Sequence, residues 1–176
     1  HHRDSLEEIL KKWDLAELYS SSEMDSLSLV WHRLTPWDDT VDGLAAMNKL
    51  GLVTATLSNG NLAIMRDLDD FGNLGFQKFY SAETFHLYKP NPVVYQSAAR
   101  ELGLDTTEVA MVATHLDDLK AARGVGMRTI YVHRPQEEAW EKDDERYKEM
   151  QANVDLWVES KEGFREVAQH LAQLKQ

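Results

Sequence analysis

Three short stretches hold residues whose types and spacing could do chemistry. The first is Leu57-Ser58-Asn59-Gly60-Asn61. A hydroxyl and successive backbone amides at a turn before a helix can point at an anion; a plain tight turn with a helix cap uses the same residues. The second is Tyr88-Lys89-Pro90-Asn91-Pro92. Two prolines fix the backbone after one Lys and start the next helix. A Lys held that rigidly can neutralise charge without reorganising, although a surface Lys in a Pro-rich turn looks the same. The third runs from Met111 to Asp118 and contains Thr114, His115, Asp117 and Asp118. Paired carboxylates can hold Mg²⁺ through oxygen, but adjacent helical residues point about 100° apart and make a poor clamp alone. Asp117 equally suits a helix cap, and His115 a turn.

These stretches need elements to position them. Ser5-Leu6-Glu7-Glu8 has the capping-box pattern, which predicts a helix over 6–13. Met24, Leu27, Val30, Trp31 and Leu34 share one helical face and predict a second over 22–34. Beyond Pro36 the texture alternates. Helices are expected over 41–50, 61–71, 92–102, 117–123 and 164–174, several closed by Gly. Apolar β-rich runs at 52–57, 79–81, 109–113, 128–132 and 154–158 read as strands. The charged segment 136–150 reads as a solvated helix. Alternating strands and helices predict an α/β fold, a Rossmann-like parallel sheet with helices on both faces. Ligands bind at the carboxyl ends of such strands, and all three chemical stretches follow a strand. The boundary falls near Pro36, which gives an expected division into residues 1–36 and 37–176.

The composition narrows the partners. The 176 residues carry 30 Asp and Glu against 19 Lys and Arg, a formal net charge of −11. A phosphate backbone needs clustered basic residues, so no nucleic-acid partner is expected. The absence of Cys excludes disulfides, thiolate metal sites and a cysteine nucleophile. No apolar run approaches the ~20 residues of a membrane span. A soluble, cytoplasmic protein is the expectation. The chain opens on His1-His2 without Met. A tag remnant and native residues after an absent segment both fit that start.

The order and spacing of the three stretches resemble the haloacid dehalogenase superfamily, and within it the type II 2-haloacid dehalogenases, with a fungal-looking branch most similar. Leu57 to Gly60 looks like the second motif of the superfamily, Tyr88 to Pro92 with Tyr95 like the third, and Val112 to Asp118 like the fourth. Trp31-His32-Arg33-Leu34-Thr35-Pro36-Trp37 resembles the join between helical cap and core. The resemblance implies that residues 1–36 are the C-terminal part of a helical cap and residues 37–176 the catalytic core. It implies hydrolysis of a 2-haloalkanoic acid through an aspartyl ester, with no cofactor. Ser58 would bind the substrate carboxylate, and Asn59 would lie by the leaving halide. Lys89 would offset repulsion between nucleophile and substrate, two like charges that at ~4 Å cost about 4 kcal/mol at an effective dielectric near 20. Tyr95 would line the site and Asp118 would hold Lys89. His115 stands where the family has Asn, and is carried over as a substrate-side residue.

Two departures matter. The family nucleophile sits in an Asp-x-Asp-x-Thr motif after a first strand, and no such motif follows a strand here. Asp67-Leu68-Asp69-Asp70 and Asp38-Asp39-Thr40 fall in helical or capping positions. The expectation is therefore a longer protein whose inner strand and nucleophile lie outside these 176 residues, and a chain that is inactive alone; otherwise the strands on either side must pair with one another. Motif four also has Ala113 and His115 where dehalogenases have Ser and Asn, and Thr114 where phosphatases have an acidic Mg²⁺ ligand. A Mg²⁺-dependent phosphatase and an inactive binding module remain the alternatives.

Overall fold

The computed structural model describes residues 2–174. Helix α1 (His2–Lys12), helix α2 (Ser21–Ser28) and a 3₁₀ turn (Val30–Arg33) precede Pro36. The rest alternates: α3 (Thr40–Lys49), β1 (Ala55–Ser58), α4 (Leu62–Gly72), β2 (Lys78–Ser81), the single turn α5 (Ala82–Phe85), α6 (Pro92–Glu101), β3 (Ala110–Ala113), α7 (Leu116–Gly124), β4 (Arg128–Val132), α8 (Glu145–Asn153), β5 (Leu156–Val158) and α9 (Gly163–Gln173). No helix of the described residues is long and apolar enough to cross a membrane.

All strand pairs are parallel. β1 pairs with β2, setting Ser58 opposite Ser81, and β4 lies between β3 and β5. β4 shows why the sheet is covered on both faces. Its Ile130 and Val132 join Leu44 and Met47 of α3, Val158, and Val167 and Ala168 of α9 in one buried cluster. The intervening Tyr131 faces the other way, into Leu116 and Leu119 of α7 and Tyr147 and Met150 of α8. β-branched and aromatic residues fit that pleated, two-sided burial.

No ladder joins the β1–β2 pair to the three-stranded sheet. The expected alternative, in which the strands flanking a gap close on one another, is not realised. Core packing bridges them instead. Leu52, Leu74 and Phe76 pack on the α3–α9 cluster, while Leu57 of β1 and Met111 of β3 both pack on Tyr95, Ala99 and Ala122. β1 is half-buried along its length, unlike β4.

Several boundaries differ from the sequence reading. Ser5 does not cap α1, which begins at His2; the capping box forms at Ser20, whose hydroxyl accepts from Glu23 N while Glu23 accepts from Ser20 N at 2.8 Å. The helix expected over 22–34 breaks at Leu29, after which the chain tightens into the 3₁₀ turn. That turn seats on α4, where His32 Nδ1 and Asp67 Oδ2 lie 2.5 Å apart. The charged segment expected to be one helix over 136–150 is irregular up to Asp144, which caps α8. Residue 1 and residues 175–176 of the two expected regions lie outside the described residues.

A buried ion pair closes the core. Asp39, expected only to cap α3, has no capping bond and instead accepts from Nη1 and Nη2 of the Arg134 guanidinium, at 2.7 and 2.8 Å. Phe164 N donates to the same carboxylate at 2.6 Å, and Trp37 and Phe164 flank the guanidinium. Burial opposes ionisation of Asp39, yet the Arg134 and Phe164 hydrogen bonds outweigh it, and its carboxyl titrates below the usual range. Gly163 is required beside it. Its φ is +37°, and a Cβ there would stand 2.2 Å from Asp39 Oδ2.

Candidate active site

The three chemical stretches meet at the carboxyl ends of the strands, where open α/β sheets bind ligands. Ser58 ends β1, and its Oγ accepts from Gly60 N at 3.1 Å, so the hydroxyl is fixed inside its own turn. Asn61 then caps α4 through Ile64 N at 2.8 Å. The turn reading and the helix-cap reading of this stretch are thus both realised.

Asn59 leaves that turn toward the second stretch. Its Oδ1 accepts from Lys89 N at 2.7 Å and its Nδ2 donates to Lys89 O at 3.1 Å. One side-chain amide therefore reads both backbone polar groups of Lys89, and its hydrogen-bonding ends face the Lys89 loop. The Lys89–Pro90 peptide bond is cis. Asn91 then caps α6 through Val93 N at 3.0 Å, with Pro92 as the first helical residue. Proline tolerates that position because no amide partner is needed there.

Lys89 reaches inward to the third stretch. Its Nζ donates to Asp118 Oδ2 at 2.5 Å, with the two side chains only 17 % and 14 % exposed. Tyr95 comes from below, off α6, and its hydroxyl donates to Asp118 Oδ1 at 2.6 Å. Both oxygens of Asp118 are thereby occupied. Tyr95 is fully buried. Burial, and then the Asp118 carboxylate it bonds, hold its hydroxyl far above the ordinary tyrosine range. It is the donor in that bond. Charge-assisted bonds of this kind are about twice as strong as neutral ones.

His115 stands apart. It precedes α7 without capping it, and its ring is largely exposed, with Nε2 4.0 Å from Glu137 Oε2. Asn59, Lys89, Asp118 and Tyr95 thus form one bonded network, Ser58 adjoins it through the chain, and His115 lies outside it. Thr114 Oγ1 is buried without a hydrogen-bond partner. Among the described residues no three His, Asp or Glu side chains converge where a metal ion could be held.

Two residues that the sequence reading did not single out also border these turns. Glu83 accepts from Leu62 N at 2.9 Å, at the start of α4. Glu138 accepts from Leu116 N at 2.7 Å, at the start of α7. Both are long-range carboxylate caps, and no local motif announces such a contact.

Comparison with known proteins agrees with this geometry. A family profile described as haloacid dehalogenase-like hydrolase matches residues 3–126. (S)-2-haloacid dehalogenase 1 of Pseudomonas sp. strain CBS-3 is 35 % identical over 112 residues, 61 % of this chain and 49 % of that enzyme. The crystal structure of the L-2-haloacid dehalogenase PA0810 superposes with a TM-score of 0.81 at 33 % identity, over 97 % of this chain and 71 % of that one. The defluorinating L-2-haloacid dehalogenase Rha0230 gives 0.79 at 30 % identity, over 99 % and 68 %. The chain spans about half the length of the curated relatives it matches. Profile, relatives and fold agree with the three motifs in their order along the strands: the chain belongs to the haloacid dehalogenase-like hydrolase family.

Proposed function

We propose that the full-length protein hydrolyses a small 2-haloalkanoic acid. An Asp carboxylate oxygen attacks the halogen-bearing carbon, the carbon–halogen bond breaks, and halide leaves with the bonding pair. Water then adds to the ester carbonyl, releasing a 2-hydroxy acid and regenerating the carboxylate. The observation that carries this reading is the fixed Lys89 ammonium, held from one side by Asp118 and through its backbone by Asn59. Nucleophile and substrate are both anions, so a preorganised cation beside them lowers the barrier. Ser58 binds the substrate carboxylate, Tyr95 and Asp118 hold Lys89 in place, and His115 borders the substrate side. Asn59, which the resemblance puts by the leaving halide, serves in this arrangement to hold the Lys89 loop. No metal takes part in this chemistry.

The nucleophile belongs to a strand between β1 and β3, outside these 176 residues. Residues 1–36 are the end of a cap and residues 37–176 the core around that strand. The 176-residue chain alone releases no halide in this reading. Cytoplasmic location and pairing into a homodimer belong to the same proposal, and cell fractionation and light scattering test them.

The deciding experiment incubates full-length protein with 2-chloropropionate and measures chloride. A single turnover in ¹⁸O-water then leaves the label on one Asp of the enzyme, found by peptide mass spectrometry. Chloride release with that label supports the reading. Turnover of a phosphomonoester that needs Mg²⁺, with none of 2-chloropropionate, overturns it in favour of a phosphatase. Halide release by the 176-residue chain overturns the placement of the nucleophile.

A further inference from the structure

The first part of the segment after β4, up to Asp144, was expected to be helical and is instead folded back onto the start of α7. Glu138 is the fastener. Its Oε2 accepts from Leu116 N and its Oε1 from Trp140 N, both at 2.7 Å. Leu116 is the first residue of α7 and is fully buried, in one cluster with Leu119, Tyr131, Trp140, Tyr147 and Met150. Glu138 is partly buried itself. Arg134, four residues earlier, is locked to Asp39. Two residues past Leu116, in the same first helical turn, stands Asp118 with Lys89 and Tyr95 on its two oxygens.

We propose that Glu138 is a positioning residue for the Lys89–Asp118 pair, acting through the backbone of α7. A carboxylate that accepts the Leu116 amide on one oxygen and the Trp140 amide on the other ties the first turn of α7 to the segment after β4. Asp118 inherits that placement, and Lys89 inherits it from Asp118. Helix starts tolerate such a carboxylate well, because the amides are otherwise unpaired and the helix end is positive. The functional part of this inference rests on the dehalogenase reading; the structural part does not.

The test compares Glu138→Ala and Glu138→Gln in the full-length protein. Lysines are acetylated with a water-soluble reagent, and the rate at Lys89 is divided by the rate at exposed Lys120, an internal reference on α7. Losing about 1 kcal/mol of positioning corresponds to about a fivefold rise in that ratio in Glu138→Ala. Glu138→Gln keeps one acceptor and should give an intermediate rise; it decides the matter if the alanine variant does not fold. Chloride release should show a lowered kcat with KM little changed. An unchanged Lys89 to Lys120 ratio in a folded variant overturns the proposal. If wild-type protein releases no chloride, the dehalogenase reading fails, while the labelling ratio still judges Glu138.

Discussion

Replacing Lys89 with Met removes the ammonium and keeps most of the stem, so it isolates the charge. Asp118 would then sit 14 % exposed with no cation. Breaking a buried pair from one side costs about 3–5 kcal/mol, because the remaining charge is left uncompensated. Here Tyr95 still donates to Asp118 at 2.6 Å, which places the loss near the lower end, about 3 kcal/mol. For a chain of this size that corresponds to a Tm lower by roughly 6–12 °C. The double variant Lys89→Met with Asp118→Asn removes the stranded charge as well. It should regain about 2 kcal/mol over the single variant, a coupling typical of contacting charges. Urea unfolding followed by tryptophan fluorescence reads both values. In the full-length protein the single variant should also lose about 10³-fold in halide release, the equivalent of about 4 kcal/mol of unscreened repulsion. A single variant within about 1 kcal/mol of wild type, together with a double variant no more stable than the single, would refute the reasoning.

Asn59→Ala deletes both bonds to the Lys89 backbone at an exposed position, so stability should fall by less than about 1 kcal/mol while kcat falls about tenfold, as steady-state halide release would show. Gly163→Ala must place a methyl group against the Asp39 carboxylate, and a loss of at least about 2 kcal/mol in urea unfolding is expected. The Asp39 carboxyl is held below its usual range in the folded protein. Its contribution is therefore complete above the unfolded value of about 3.9 and disappears as pH falls through the lower folded value. Asp39→Asn should flatten the acid limb of stability below about pH 4 without abolishing it, because Asp155 is also held low despite burial by Thr129 and Arg128.

Much of this arrangement was legible because it is local. The run Arg128–Val132 is β-branched and aromatic, and it forms β4 with those bounds. Asn61 and Asn91 each cap the helix that follows, and Pro92 starts one. The order of the three polar stretches on successive strand ends carried the family. What stayed hidden is long-range. Ser5 and Ser20 both begin the same Ser-x-x-Glu pattern, and the pattern alone does not choose between them. The Asn59 amide finds the Lys89 backbone 30 residues on, and Glu138 finds Leu116 across 22. His115 carried a motif position yet makes no capping bond, and the start of α7 is bonded by Glu138 instead. Charge alone made 136–150 look like a solvated helix, whereas a buried Trp140 and the Glu138 bond to Leu116 hold its first half on the core.

The Asp39 tie also sets a timetable for the nascent chain. Asp39 waits for Arg134, 95 residues later, and for the amide of Phe164, 125 residues later. A ribosome adding about 5–20 residues per second leaves the carboxylate without its guanidinium for roughly 5–20 s, and without α9 for longer still. Through that interval α3 has only early neighbours such as Leu52, Leu74 and Phe76 to lie against, since Val167 and Ala168 are among the last core residues to emerge. The core is therefore sealed from its far end, and the earliest helix of the core is the one a chaperone has the longest time to hold.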